Sequence, residues 1–407
     1  MPALRLAFTP TPVGGKTPEE LAEYLAGEDA VTGEPLMEKI IGHLTRPLNE
    51  EEQVTGVFER TKERFIGPDT YENLQKYFDD RFWSDQLPII LPTEARVAEM
   101  LKGTSHKRDE VLGKISVTGT REAWGYTVET VAINAVMAGA KPEHFPAILA
   151  LASLGAPGSS STSSMTGMAV FNGPIVDELQ LNASTGAMGL YDKAGAVIGR
   201  AWGRVGSNVP GGSVPGITYL GVQGNAMGAV PAVFAENEAG LPEGWDPLHV
   251  QKGFDRNESV VSTFGGCQSQ SAMMVLQDDN WDWALNRFIG ALGVPNRERK
   301  TLFIDPAVTG PFLRAGFDTK EKLIEWVENN VTIPKKHYWL DQEVQNYKLG
   351  PARAGREPYA TWLGLPDDAE IPFLDGVEVV VVGGSGNVRW SVNECGYRRS
   401  VRVDDWR

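Results

Sequence analysis

The residues best equipped for chemistry fall in or beside one glycine-dense stretch. Asn182, Ser184, Thr185, Gly186 and Gly189 belong to LNASTGAMG, a loop of small residues whose backbone N–H groups can turn toward an anion. Arg200 and Arg204 follow, four apart and so on one helical face. They are the only strong cationic pair between residues 155 and 230. A carboxylate or phosphate on a substrate is their simplest functional partner, and an ion pair with Asp177 or Glu178 is the structural alternative. Asn172 ends the apolar run of MAVFNGP, where it offers a donor and an acceptor; turn chemistry before Gly173 accounts for it too. Glu129 and Asn134 are the polar residues of TVETVAINAVMAG. Desolvation by Ala, Val and Met would raise the Glu129 pKa and suit it to general acid/base work, while first-turn dipole stabilisation is the plainer role. Asn134 is a poor mid-helix residue, which favours a buried hydrogen-bonding role. Cys267, in STFGGCQSQS, is the remaining nucleophile, with His249 of WDPLHVQKGF as a distant partner. Nothing local depresses its pKa, and an inert buried thiol is the commoner fate.

Residues 155–230 hold 16 of the chain's 45 glycines and six charged residues summing to zero, while the whole chain carries −15. Such a segment is backbone brought close to something, either a packed neighbour or a small ligand. The acidic balance argues against nucleic acid and anionic membranes as partners. Two distant cysteines without C-x-x-C argue against a disulfide framework and a cysteine zinc site. No secretory signal is visible, and the most apolar run, 145–156, is too short to span a bilayer. A cytoplasmic protein is expected.

These residues need elements to hold them. TPTPVGGKTP reads as an extended arm, and PEELAEYLAG and PLNEEEQVTGVFERTKERF as helices, over residues 1–66; the arm either wraps a neighbouring subunit or decorates the surface. From 67 to 390 short apolar strands, LPIILP (87–92), MAVFNGP (168–174), PAVFAE (231–236) and LFIDP (302–306), alternate with helices. Glycines 139, 206 and 293 read as helix C-caps. AMG recurs at 187–189 and 226–228 near AVF at 169–171 and 232–234, which suggests degenerate repetition of an α/β unit. DGVEVVVVGGSGN (375–387) predicts a strand buried on both faces. Residues 391–407 read as a basic-aromatic tail. The expected fold is α/β, with repeated units forming mixed sheets.

VVVVGGSGN fails as a dinucleotide fingerprint, because Arg389 stands where the third Gly is needed and no useful helix follows. It fails as a nucleophile elbow at Ser385, because Asn387 replaces the last Gly. No Walker A or H-E-x-x-H occurs, and the five histidines are scattered. No nucleotide cofactor is expected, no metal ligands are assigned, and a metal is left open.

WSDQLPIILPT (83–93), TVETVAINAVMAG (127–139), NGPIVDEL (172–179) and NASTGAMG (182–189), with DPLHVQKGFD (246–255) and GPFLRAGFDTKEKLIEWVENN (310–330), resemble a bacterial family. That family is associated with UGSC-type redox (seleno)proteins bearing Sec/Cys-Gly-Ser-Cys. This chain has no Cys-Gly-Ser-Cys. The resemblance therefore implies that a redox partner chain would supply such thiols.

The expected activity is nucleotide-independent lyase, hydratase or hydrolase-like acid/base chemistry on a small polar, anionic substrate, in a homo- or hetero-oligomer. Glu129, Asn134, Asn172 and Cys267 are the catalytic candidates; the 182–189 loop, Arg200, Arg204 and His249 bind. A subunit of a thiol-dependent reductase and a non-catalytic scaffold subunit are the alternatives.

Overall fold

The computed structural model describes residues 5–53, 64–116, 123–157, 166–189, 191–209, 214, 230–267, 270–273, 279–291, 299–386, 390–393 and 396–407. Its strands in chain order are β1 (Val111–Ser116), β2 (Ala123–Thr127), β3 (Thr166–Asn172), β4 (Ala232–Ala235), β5 (Val260–Cys267), β6 (Gln270–Met273), β7 (Thr301–Ile304), β8 (Thr332–Pro334), β9 (Glu370–Pro372), β10 (Glu378–Val381), β11 (Trp390–Asn393) and β12 (Gly396–Arg402). The first twelve helices are α1 (Pro18–Ala26), α2 (Leu36–Thr45), α3 (Tyr71–Asp80), α4 (Glu94–Met100), α5 (Val128–Ala138), α6 (Phe145–Ser153), α7 (Ile175–Leu179), α8 (Lys193–Asn208), α9 (Leu248–Gln251), α10 (Trp281–Ala291), α11 (Thr309–Arg314) and α12 (Lys320–Asn330).

The chain divides into two compact units. One joins Met1–Pro68 to Thr332–Phe373. A Thr17/Glu20 capping box starts α1, satisfying two of its free N–H groups. Arg353 then grips Glu20 through two nitrogens, at 2.9 and 3.1 Å. Gly350 lies against the Lys16 carbonyl with no room for a Cβ, and β8 pairs antiparallel with β9. The expected arm is thus packed on a later part of its own chain. Most of the helix read at 47–65 falls outside the described residues.

The second unit is α/β, built on two mixed four-stranded sheets. Their orders are β12-β5-β3-β4 and β10-β7-β11-β6. Each holds one parallel pair, β3 with β4 or β7 with β10, followed by two antiparallel pairings. Gly265 faces Gly396 in the first sheet, and Gln270 faces Asn393 in the second. The same two stretches of chain therefore pair in both sheets. Alternation along the strands gives the first sheet two buried faces. Ala169, Phe171, Val233 and Ala235 pack with Val131, Ile148, Ile198 and Ala201 of α5, α6 and α8. Met168, Val170, Phe234 and Phe264 point the other way and meet Phe303 and Val380 of the second sheet. Phe234 and Phe303 lie edge to face, centroids 5.5 Å apart, a favoured aromatic geometry.

MAVFNGP, PAVFAE and LFIDP form β3, β4 and β7, and β10 is buried throughout. LPIILP forms no strand. Pro88 and Pro92 have no N–H for a ladder, and Ile89 and Ile90 donate instead to Gln75 Oε1 and the Met137 carbonyl. Gly139 does cap α5, at φ +84°. Gly206 lies inside α8 rather than at its end, and Gly293 is outside the described residues, as are SSSTSS and the second AMG. Residues 391–407 are not a tail: they supply most of β11 and all of β12. On α8, Cβ atoms at Gly195, Gly199 and Gly206 would strike the backbone carbonyls of Val233, Pro231 and Pro157. Gly195 and Gly199 let the helix lie directly on the chain around β4, and Gly206 on the chain after α6, so close packing accounts for them.

Candidate functional site

Parallel strands gather ligands at their carboxyl ends, and both parallel pairs carry polar residues there. At the ends of β7 and β10 lies a cavity of about 370 Å³. Asp305, just past β7, and Gly383, just past β10, form one wall; Trp390 and Ser391 of β11 form another; Gly186–Gly189 form the third. Gly383 sits at φ +101°, and a Cβ there would strike the Asp305 carboxylate. Gly384 likewise has no room for a Cβ beside Thr185 Oγ1. The loop is held by its own first residue: Asn182 Oδ1 accepts from Ser184 N at 2.9 Å, and its Nδ2 donates to the Thr185 carbonyl at 3.0 Å. Its Ala183 carbonyl accepts from Gly383 N at 3.0 Å. Gly186 makes the turn at φ +82°. The N–H groups of Thr185, Gly186 and Met188 find no acceptor among the described residues. Asp305 is the one charged side chain among the described residues lining the cavity.

At the ends of β3 and β4 the polar groups bond to one another. Glu236 is fully buried and pairs with the equally buried Lys320 at 2.6 Å. Asn172 Nδ2 donates to Glu236 Oε2 at 2.8 Å and to Glu238 Oε1 at 3.0 Å. Gly173 N donates to the same Glu238 oxygen at 2.8 Å. His249 is 0 % exposed, with Nδ1 3.8 Å from Glu238 Oε1. Two residues separately selected from sequence, Asn172 and His249, therefore meet at one carboxylate. Asn237 links this cluster to the cavity by donating Nδ2 to the Gly383 carbonyl at 2.8 Å.

The other selected residues lie elsewhere. Arg200 and Arg204 both pair with Asp85, at 2.7 and 2.9 Å, and not with Asp177 or Glu178. Arg204 also donates to the Trp83 carbonyl at 2.9 Å. Both guanidiniums are thus committed to the 83–88 segment, and neither lines the cavity. Glu129 is paired with Arg108 and its side chain is 22 % exposed, so it is not enclosed by the Ala, Val and Met around it. Asn134 is buried, donating to the Thr130 carbonyl at 2.9 Å and accepting from Asn208 at 2.7 Å, which ties α5 to α8. Cys267 is the last residue of β5, opposite Thr166; its side chain lies outside the described residues.

Burial works to raise the Asp85 pKa, but the Arg200 hydrogen bond and the charges of Arg204 and Arg200 outweigh it and hold it below the usual carboxylate value. A depressed folded pKa adds stability that is present above the unfolded value, about 4, and lost as pH falls through the folded one. Urea midpoints measured from pH 7 downward should fall less steeply below pH ~4 in Asp85→Asn than in the parent. Parallel acid limbs would show that Asp85 is not the linked group.

Asp305, Gly383, Ser391, Glu236, Glu238 and Lys320 were not singled out from sequence. Asp305 had a usable signal: it follows the apolar run of LFIDP as Asn172 follows that of MAVFNGP. Lys320 and Glu236 had none, since a helix-start lysine and an acid after a strand are ordinary surface residues.

Comparison with protein-family models, with curated proteins and with solved structures finds no match for this chain. No helix among the described residues is long and apolar enough to cross a membrane.

Proposed function

We propose that this chain is an enzyme for a small polar substrate, bound at the carboxyl ends of β7 and β10. The supporting observation is a cavity of about 370 Å³ that brings the Asp305 carboxylate and the Gly186–Gly189 backbone to one space. A volume of this size suits a small metabolite. Loop N–H groups hold a carboxylate or carbonyl oxygen of the substrate, as backbone nests do. Asp305 is the general acid/base, the role the sequence suggested for Glu129, and it moves a proton on the opposite side of the substrate. Ser391, on β11, orients a hydroxyl or water. The chemistry is nucleotide-independent lyase, hydratase or hydrolase chemistry. With Arg200 and Arg204 held by Asp85, anion recognition falls to the loop backbone alone.

The test is a thermal-shift screen of hydroxy acids, amino acids and small phosphate esters against the parent and Asp305→Asn. One class should raise the parent's melting temperature, and the shift should vanish in Asp305→Asn while its circular dichroism is unchanged. A ligand that binds both proteins equally would remove Asp305 from the site, and no shift with any class would remove the site.

A further inference from the structure

We propose that Glu238, His249 and Asn172 form a site for one first-row divalent cation, independent of the cavity at Asp305. Two buried acceptors lack partners where the structure should supply them. His249 points Nε2 at the Arg256 carbonyl, 3.3 Å away, so the ring hydrogen sits on that nitrogen. Nδ1 is then left as a lone pair on a fully buried ring, with no hydrogen-bond partner among the described residues. A carboxylate oxygen, Glu238 Oε1, lies 3.8 Å from it. Two acceptors facing each other across a gap repel unless something positive lies between them. Asn172 repeats the pattern. Its amide nitrogen faces the carboxylates of Glu236 and Glu238, which fixes the orientation of the group. Its Oδ1, also fully buried, has no partner among the described residues. Buried acceptors left without a partner are costly, and a cation satisfies both.

The surroundings of His249 and Glu238 are compatible with a bound cation. Ligand bonds of about 2.1 Å from His249 and Glu238 reach across 3.8 Å. A metal-binding imidazole usually donates its other N–H to a carbonyl or carboxylate, as His249 does to Arg256. The Glu238 carboxylate is steadied by Gly173 N and Asn172 Nδ2. Its side chain is 26 % exposed, which gives an entry path and room for water ligands. Lys320 is spent on Glu236, so it does not neutralise Glu238. In the proposed site the third protein donor is the Asn172 amide oxygen, which is buried and has no partner among the described residues; no three His, Cys, Asp or Glu side chains of the described residues converge there. One imidazole nitrogen with two oxygens favours Zn²⁺ or Mn²⁺ over Ca²⁺ or Mg²⁺.

The experiment uses the full chain after dialysis against a chelator, titrated with ZnCl₂ or MnCl₂ by calorimetry. One ion per chain is expected. Affinity should fall at least about tenfold in Glu238→Gln, whose side chain is 26 % exposed, and in His249→Gln. A ¹⁵N spectrum of the histidines should show Nδ1 of His249 moving on metal addition. No binding, or binding unchanged in Glu238→Gln, overturns the proposal. So does an His249 Nδ1 that carries a proton and stays unmoved by metal, which would make the contact an ion pair.

Discussion

Lys320→Met should destabilise the fold by about 3–5 kcal/mol, the usual cost of removing one partner from a buried ion pair. The lysine side chain and the Glu236 carboxylate are both 0 % exposed. Glu236 joins several elements at once. Its Oε1 accepts Lys320 Nζ at 2.6 Å and Val381 N at 3.3 Å; its Oε2 accepts Leu248 N at 2.6 Å and Asn172 Nδ2 at 2.8 Å. Those donors belong to α12, β10, α9 and β3. Without the ammonium the carboxylate keeps its neutral donors but loses its counter-charge in a place water does not reach. Adding Glu236→Gln removes the stranded charge and should return part of the loss, because an uncharged buried group costs far less than an unpaired ion. Urea unfolding of the two variants measures both effects. A cost under about 1 kcal/mol for Lys320→Met, the range of an exposed pair, would mean that solvent enters the cluster.

Gly199→Ala should destabilise by about 1–3 kcal/mol, the range for overpacking a well-filled interior. A Cβ at this position would strike the Pro231 carbonyl and crowd Val233. A carbonyl cannot rotate away as a side chain can, so α8 must lift from β4. Gly42→Ala in α2 is the control, since nothing lies within 4 Å of a Cβ there. Alanine then adds its higher helix propensity, and the change should stabilise by up to about 1 kcal/mol. Opposite signs for one chemical change in two helices would show packing, not propensity, deciding the outcome. Equal effects would remove the close approach as the reason for the glycines of α8.

That contrast also explains how far the sequence could be read. The strands that were legible, β3, β4, β7 and β10, are short apolar runs buried in the interior, and burial writes itself into residue type. Strand β12, GYRRSVR, lies at a sheet edge with Arg398 and Arg399 exposed, and edge strands use charge to discourage further pairing. Its sequence therefore looks like a solvated tail. Strand β5 is interrupted by Gly265 and Gly266, and glycine in a run weakens the strand signal. Of the candidate site, the cavity-lining loop at 182–189 stood out in the sequence because glycine density marks close approach. What glycine density cannot say is whether the approaching partner is a ligand or the protein itself: the glycines of α8 lie against their own chain, while those of the loop border the cavity. The arginine pair was legible as a pair but not in its partner, because Asp85 lies 115 residues earlier.

The pairing of β5 with β12 has a bearing on how the protein is made. The two strands come from positions more than 130 residues apart. During synthesis the first sheet can assemble β3, β4 and β5 early, yet β5 must wait with an open edge until the ribosome has released residues 396–402. Such an edge is a template for any strand that arrives first, and pairings this distant are slow to find. A chain halted shortly before residue 396 would carry every residue of the cavity wall and still present that unpaired edge to its neighbours.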